Sequence, residues 1–324
     1  YFSSLFPWGI LESNDDERSL PFLMNMDDLL SFLDQEGIDY KRDELLSKHT
    51  SFKLGGPCKL LLLPKTKEET QKLVKTLYEE KIPYYILGNG SNVLFRDEGF
   101  PGVILKLASN YSSYKIQGDT ILCDSGMDLS VLARKAALKG LSGLEFASGI
   151  PGTLGGGVIM NAGAYDGELK DVVTSVLLLD KQGNYHRKSC EEMEFGYRDS
   201  LAQREGLLIL EVEMKLHQGD YPEIWNKIDD FTIRRWSKQP LEFPSGGSTF
   251  KRPPGYYAGK LIEDAGLKGL RFRGAQVSSK HCGFIVNTGE ATSEDVRTLI
   301  RIVQRRVKEE FGVELTPELR IIDE

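Results

Sequence analysis

The 324-residue sequence predicts an α+β fold made of short, mixed strands. Three observations carry that reading. Helical apolar stripes recur along the chain, and the apolar runs between them have only strand length. The turn "KQGN" is flanked by "DVVTSVLLLD" and "NYHRKS", the mark of an antiparallel hairpin. Two glycine-rich loops, "LGNGSNVL" (87–94) and "SGIPGTLGGGVIMNAGAY" (148–165), interrupt the elements without the rhythm of a regular βαβ array.

The elements follow in order. "MDDLLSFLDQEG" is a short amphipathic helix ended by Gly37, and 67–82 is a second, with Leu73, Leu77 and Ile82 on one stripe. "YYIL" is a strand that runs into the turn "GNGSN" and then the strand "VLF". Strand pieces around "GVILKL" and "TILCD" precede the helix "DLSVLARKAALKG", closed by Gly140. After the hairpin, "LLILEVEMKLHQ" alternates apolar and charged residues as a half-buried strand does, and 221–238 is a basic-ended helix. "PLEFPSGGSTFKRPPGYYAG" has the Pro, Gly and Ser content of an ordered boundary loop. The short helix "AGKLIEDAGLKG" and the strand "HCGFIVN" follow. In "SEDVRTLIRIVQRRVKEEFG", Val296, Leu299, Ile300, Val303, Val307 and Phe311 form a buried stripe between an N-cap at Ser293 and a C-cap at Gly312. "ELRII" is the last strand.

Composition narrows the function. A net charge of −7 argues against nucleic acid as a partner, and no apolar run approaches the roughly 18 residues of a membrane span. The 4 cysteines form no CxxC pair and the 4 histidines no HExxH, so neither a disulfide framework nor a metal site is expected. A reduced, cytoplasmic setting follows. Residues 1–26 mix aromatics with an acidic cluster and lack the basic start and apolar run of a signal peptide; they are set aside as an N-terminal extension.

The glycine loops suggest an anion. Gly88 and Gly90 follow a strand and can present consecutive backbone N–H groups, with Asn89, Ser91 and Asn92 as side-chain donors. Gly149, Gly152 and 155–157 offer the same in the second loop, with Thr153 as a further hydroxyl. Taken alone, "GNGSN" can also be a tight turn. No GK[ST] closes either loop, and GxGxxG lacks its third glycine, so a P-loop hydrolase and a Rossmann dehydrogenase are both disfavoured. Two such loops in one domain could hold the two phosphates of a dinucleotide without a lysine.

"HTSFKLGGPC", "LGNGSNVL", "GIPGTLGGGVIMNAGAY", "FGYRDS", "PSGGSTFKRPPGYYAGKLIEDAGLKG" and "LTPELRII" occur here in one order. In this the chain resembles the MurB family, the UDP-N-acetylenolpyruvoylglucosamine reductases or UDP-N-acetylmuramate dehydrogenases, from about Asp27 to the C-terminus. The resemblance implies an FAD-binding fold of the vanillyl-alcohol-oxidase (PCMH) type plus a C-terminal α+β substrate domain. It sets FAD-binding subdomains at 27–107 and 108–236 and the substrate-binding domain at 237–324. It implies non-covalent FAD, lined by Leu87, Gly88, Asn89, Gly90, Ser91, Asn92, Gly149, Ile150, Pro151, Gly152, Thr153, Gly155, Gly156, Asn161, Ala162, Gly163 and Tyr165. NADPH is the implied reductant, and reduced flavin then delivers hydride to the enolpyruvyl methylene of a UDP-sugar. The implied setting is peptidoglycan precursor synthesis in a bacterial cytoplasm, with no obligate protein partner, nucleic acid or membrane.

Residue roles come from the same likeness. Arg198 of "GYRDS" and Glu318 of "TPEL", the latter protonated, stabilise the enolate-like charge that builds on the substrate carboxylate. Ser248 of "GGSTF" is the general acid. Tyr197, Lys238, Arg252 and Asn287 are the implied substrate contacts. Singly, each has an ordinary reading: Arg198–Asp199 as a local ion pair, Ser248 as a turn residue, Tyr197 as core, Lys238 as an exposed lysine, Asn287 as the cap of "NTGE". Arg252 stands where some members carry Asn, and the chain resembles the shorter class, which lacks a tyrosine-bearing insertion. Two rivals remain at this point: another flavin oxidoreductase of the same fold, although "GNGSN" has no histidine to tether FAD, and a flavin-free protein that binds sugar nucleotides.

Overall fold

In the computed structural model, residues 24–165 and 167–323 are described. The N-terminal extension, up to residue 23, lies outside them. Local sequence sets the helix ends. Asn25 caps the helix Met26–Glu36 by accepting the Asp28 N–H at 2.9 Å, and Gly37, at φ 68°, closes it. The helix Lys67–Glu79 begins at its cap Thr66 and stops before Ile82, which is nonetheless buried beyond the helix end.

The chain forms two compact units, each assembled from separated stretches. One takes the chain to residue 42 with 59–88 and 101–232; the other takes 43–58, 89–100 and 233–324.

The first unit is built on two sheets. A four-stranded sheet runs Asp39–Leu45, Pro57–Leu63, Phe100–Lys106, Tyr84–Leu87, the last two strands parallel. Leu29, Leu33, Leu73 and Leu77 of the two helices above pack with Leu60, Leu62 and Leu105 of its strands. A five-stranded antiparallel sheet runs Tyr185–Ser189, Val173–Leu179, Leu208–Lys215, Thr120–Asp124, Tyr114–Gln117. Its core includes Val176, Leu178 and Val212 with Leu132 of the helix Leu129–Ala137 and Leu154 and Val158 of the helix Leu154–Ile159.

The strand Leu208–Lys215 departs from simple alternation. Glu211 is 6% exposed, opposite Asp124 on the next strand. Burying a carboxylate requires partners, and Lys67 (2.8 Å) and Arg187 (2.7 Å) supply them. Burial pushes the Glu211 carboxyl up, but those two hydrogen-bonded cations outweigh it and leave the pKa lowered. Asp124 is raised, mainly by burial.

The second unit carries an antiparallel sheet in the order Ser245–Ser248, Phe284–Asn287, Ala275–Val277, Arg271–Phe272. A separate parallel pair joins Val93–Phe95 to Arg320–Ile322. The stretch "SGGS", expected as loop, is therefore a strand: its glycines fit because a Cβ at Gly246 would lie 2.5 Å from Leu319 and 2.6 Å from Phe52. The helix Ser293–Phe311 shows two further differences. Thr292, not Ser293, is the N-cap, because Asp295 stands three residues after it and completes a capping box; the Ser293 hydroxyl instead donates to Phe95 O at 2.5 Å. Phe311 is 36% exposed at the last turn, whereas Val296, Leu299, Ile300, Val303 and Val307 are buried as the stripe requires. No described helix is long and apolar enough to cross a membrane.

Candidate active site

In the first unit the strand Tyr84–Leu87 ends at Gly88, and Thr153 of the second glycine loop presses against it. A Cβ at Gly88 would sit 2.5 Å from Thr153 Oγ1. The strand end and the glycine-rich stretch thus meet within one unit, and only glycine allows it. Thr153 is buried, and its hydroxyl accepts the Gly156 N–H at 3.2 Å, capping the helix Leu154–Ile159.

The glycines of that helix do something other than cradle an anion. The N–H groups of Leu154 and Gly155 donate to Met127 O and Ser125 O, both at 2.7 Å, and that of Gly157 to Thr153 O at 2.9 Å. A Cβ at Gly155 would lie 2.8 Å from Ser125 Cβ, and one at Gly157 2.9 Å from Leu169. Gly155 and Gly157 are small because the helix is packed tightly onto the unit, so the expected donor row at 155–157 is engaged internally. Gly152 needs its freedom for another reason, a φ of 117°. Gly149 and Ile150 are half-buried and Pro151 exposed, where the loop turns outward.

Asn161, Tyr165 and Arg198 share an unusual backbone. Each has positive φ (42°, 51° and 55°) without being glycine, a conformation that costs of order 1 kcal/mol or more and concentrates at functional sites. Asn161 is buried, donates to Glu168 Oε2 (2.7 Å) and Gly196 O (3.1 Å), and accepts the Lys170 N–H (3.0 Å). It is a brace for the turn that carries Arg198. Tyr165 stacks on Phe231 at 4.3 Å and donates to the Phe231 carbonyl. Ala162 and Gly163, both half-buried, continue the same stretch; a Cβ at Gly163 would meet Gly167 O at 2.6 Å. In the turn itself the Gly196 N–H donates to Asp199 O at 3.0 Å, and Asp199 is ion-paired with Arg204. Arg198 is half-buried, with its guanidinium carbon 5.3 Å from the ring centre of Tyr197, which is exposed.

The second unit holds the other half of the predicted set. Gly90 has φ 64°, and a Cβ there would lie 2.2 Å from His49 O. The Gly90 carbonyl accepts the Ser51 N–H at 3.0 Å, and Ser51 Oγ donates to Ser245 O at 2.6 Å. Asn89, Ser91 and Asn92 are half-buried. Asn92 Nδ2 donates to Glu318 O at 3.1 Å, and Asn92 O accepts the Arg320 N–H at 3.0 Å.

Ser248 and Glu318, 70 positions apart in number, come together through Thr249. The Thr249 carbonyl accepts the Glu318 N–H at 2.8 Å, Phe250 bridges to Pro317, and the Lys251 N–H donates to Thr316 O at 2.8 Å. Ser248 ends its strand exposed, and Glu318 is half-buried. Lys238 lies exposed at the end of the helix Tyr221–Lys238, and Arg252 is exposed beside Tyr257. Asn287 has a different task from the expected substrate contact: it is buried, donates to Phe52 O (3.1 Å) and accepts the Gly289 (2.8 Å) and Ala291 (3.2 Å) N–H groups. Of its two readings, the turn cap is the one its bonds express.

Sequence reasoning missed Ser51, whose bonds hold the first glycine loop and the Ser248 strand together, and the hydroxyls of Ser125 and Ser148. Both hydroxyls are buried with no protein partner for hydrogen bonding. The signal for Ser51 was its place in "HTSFKLGGPC".

Neither 87–92 nor 148–165 contains an acidic side chain, which suits loops that would face an anionic cofactor. Residues 58–189, which span both loops, match the family described as "FAD binding domain", and residues 239–322 match "UDP-N-acetylenolpyruvoylglucosamine reductase, C-terminal domain". The chain is 51% identical over 296 residues to the UDP-N-acetylenolpyruvoylglucosamine reductase of Clostridioides difficile (strain 630), covering 91% of this chain and 97% of that one. It belongs to the UDP-N-acetylenolpyruvoylglucosamine reductase family. The same-named protein of Alkaliphilus oremlandii (strain OhILAs) is 50% identical over 282 residues, covering 87% and 93%. The crystal structure of the Thermus caldophilus reductase, MurB, superposes with a TM-score of 0.76 at 37% identity, covering 88% of this chain and 99% of that one. As a member of the reductase family the chain is an FAD-dependent oxidoreductase, and its α+β fold joins an FAD-binding domain to the family's C-terminal domain.

Proposed function

We propose that this reductase converts UDP-N-acetylglucosamine enolpyruvate to UDP-N-acetylmuramate with NADPH as the electron source, a step in making peptidoglycan precursor. When bound, FAD relays two electrons from NADPH to the enolpyruvyl double bond. The chain's own groups manage charge and protons. As the methylene carbon is reduced, negative charge builds on the neighbouring carbon and its carboxylate, and Arg198 and Glu318 are assigned to stabilise it, an effect worth several kcal/mol when donors are preorganised. Ser248 then delivers the proton to that carbon. Lys238 and Arg252 take the diphosphate, and Tyr197 the substrate beside Arg198. Asn161 holds the Arg198 turn, and Asn287 is left to brace its own. Both nucleotides are cytoplasmic metabolites, which is where we place the reaction.

The observation that carries this reading is the Thr249 pairing, in which the Glu318 N–H donates to the carbonyl of Thr249, the residue next to Ser248. Such backbone anchoring is what a proton donor and a charge-stabilising group need if they are to serve one small substrate group.

The test separates the half-reactions of a Ser248→Ala variant. Bleaching of the flavin absorbance by NADPH should proceed at the wild-type rate, whereas reoxidation by the enolpyruvyl substrate should slow by about 10² to 10⁴. Equal loss in both steps would remove Ser248 from the acid role. A wild-type protein that binds no FAD, or whose flavin NADPH does not bleach, would sink the reading as a whole.

A further inference from the structure

At Thr249 the chain changes partners. Up to Ser248 it pairs with the strand Phe284–Asn287, with Ser248 opposite Phe284. From Phe250 onward it pairs with the stretch before the last strand, through the Phe250–Pro317 bridge and the Lys251 N–H bond to Thr316 O. Thr249 belongs to both pairings. Its N–H donates to Gly283 O at 2.8 Å, and its carbonyl accepts the Glu318 N–H at 2.8 Å.

In a regular antiparallel ladder, residues paired as Thr249 and Gly283 are would exchange both bonds, so the Gly283 N–H would donate back to Thr249 O. Here it donates to His281 Nδ1 at 3.1 Å instead. A backbone N–H can only donate, so Nδ1 is an acceptor and the ring proton sits on Nε2. Burial lowers the His281 pKa, which favours that neutral ring. The residue is also held in place. Its N–H donates to Ser278 Oγ at 3.2 Å, and its carbonyl accepts the Phe284 N–H at 3.0 Å. The ring stands at 67° to that of Phe284, with 5.0 Å between centres. A Cβ on Gly283 would lie 2.9 Å from His281 Cε1, and one on Gly259 3.4 Å from it, so the ring occupies space that two glycines leave open.

The Thr249 carbonyl has no capacity to spare. Besides the Glu318 N–H it takes a longer bond from the Leu319 N–H at 3.4 Å, which engages both lone pairs on that side. A Gly283 N–H turned onto it would displace one of them. We propose that His281 is a positioning residue for this reaction: by holding the Gly283 N–H it reserves the Thr249 carbonyl for Glu318, and so fixes where Glu318 stands. The proposal rests on the function given above and deepens it by naming what sets the charge-stabilising group. His281 acts at a distance, through two peptide groups. The Thr249 N–H bond to Gly283 O does not involve the ring, so Ser248 stays in place and Glu318 is what moves.

The experiment uses FAD-loaded protein and measures the two half-reactions separately in His281→Leu, His281→Gln and His281→Asn. The amide oxygen of asparagine can take the place of Nδ1, whereas that of glutamine reaches the place of Nε2, so asparagine alone restores the acceptor. Bleaching by NADPH should keep the wild-type rate in all three. Reoxidation by saturating enolpyruvyl substrate should slow about ten- to a hundredfold in the Leu and Gln variants and stay within about threefold of wild type in the Asn variant. Should His281→Leu not fold, the comparison of Gln with Asn decides alone. In a Glu318→Ala background, His281→Gln should slow reoxidation by less than about threefold more, because its effect passes through Glu318. The proposal is overturned if the Gln variant reoxidises as wild type does, if Asn is as slow as Gln, if both half-reactions slow together, or if the two substitutions multiply in full. Wild-type protein that NADPH does not bleach, or that the enolpyruvyl substrate does not reoxidise, refutes the function instead.

Discussion

Replacing Gly88 with alanine tests whether the meeting of strand end and glycine loop is as tight as the geometry states. The added Cβ would lie 2.5 Å from Thr153 Oγ1 and 3.2 Å from Cγ2. Ordinary contact begins near 3.4 Å, so the threonine must retreat by almost an ångström, and it is held by its bond to the Gly156 N–H. Overpacking of this kind typically costs 1–3 kcal/mol, and we expect about 2 for Gly88→Ala. Thr153→Ala loses a helix cap, about 1 kcal/mol. Combined, the substitutions should not add: alanine at 153 lacks both offending atoms, so the double variant should be down by only about 1 kcal/mol, with a coupling near 2 kcal/mol. Urea unfolding of the four proteins measures this directly. A double variant that falls by the sum of the two singles, within about 0.5 kcal/mol, refutes the contact.

Two further outcomes follow from the same reasoning. Glu211→Gln should lower stability by about 1–3 kcal/mol at pH 7, since it weakens charge-assisted bonds to Lys67 and Arg187. Because the folded carboxyl titrates below its unfolded value, its contribution is fully present above about pH 4.3 and is lost as pH falls through the depressed folded value. Unfolding curves of wild type and variant should therefore converge in acid, and a gap that widens there would contradict the ion-pair account. Asn287→Ala should destabilise by about 1–3 kcal/mol, leaving buried groups without partners, while KM for the enolpyruvyl substrate stays near wild type. A raised KM with unchanged stability would return Asn287 to the substrate.

Most elements were legible because their signals are local. Asn25, Gly37 and Gly312 end helices by side-chain capping or by a left-handed residue, and "KQGN" joins the hairpin it predicts. What escaped depended on partners distant in sequence. Nothing near Glu211 announces Lys67 and Arg187, so an alternating strand hid a buried carboxylate. Likewise, a run of glycines reads identically whether it faces a phosphate or a neighbouring helix. Only the positions of Ser125 and Leu169 separate Gly155 and Gly157 from Gly152. The "SGGS" strand was hidden because glycine carries no strand propensity, although its backbone pairs with Phe284–Asn287. The shift from Ser293 to Thr292 is a one-residue ambiguity that the box partner Asp295 resolves.

The interleaving of the two units bears on how the protein is made. The second unit draws on 43–58, 89–100 and 233–324, so it lacks most of its core until 233–324 has been synthesised. Val93–Phe95 waits for Arg320–Ile322, and Asn92 for the Glu318 carbonyl 226 residues downstream. At about 5–20 residues per second, that delay is roughly 10 to 50 s, during which the first glycine loop exists without its strand partner. A nascent chain therefore holds the first glycine loop unfinished, and losing residues 318–322 would undo a turn synthesised more than 200 residues earlier.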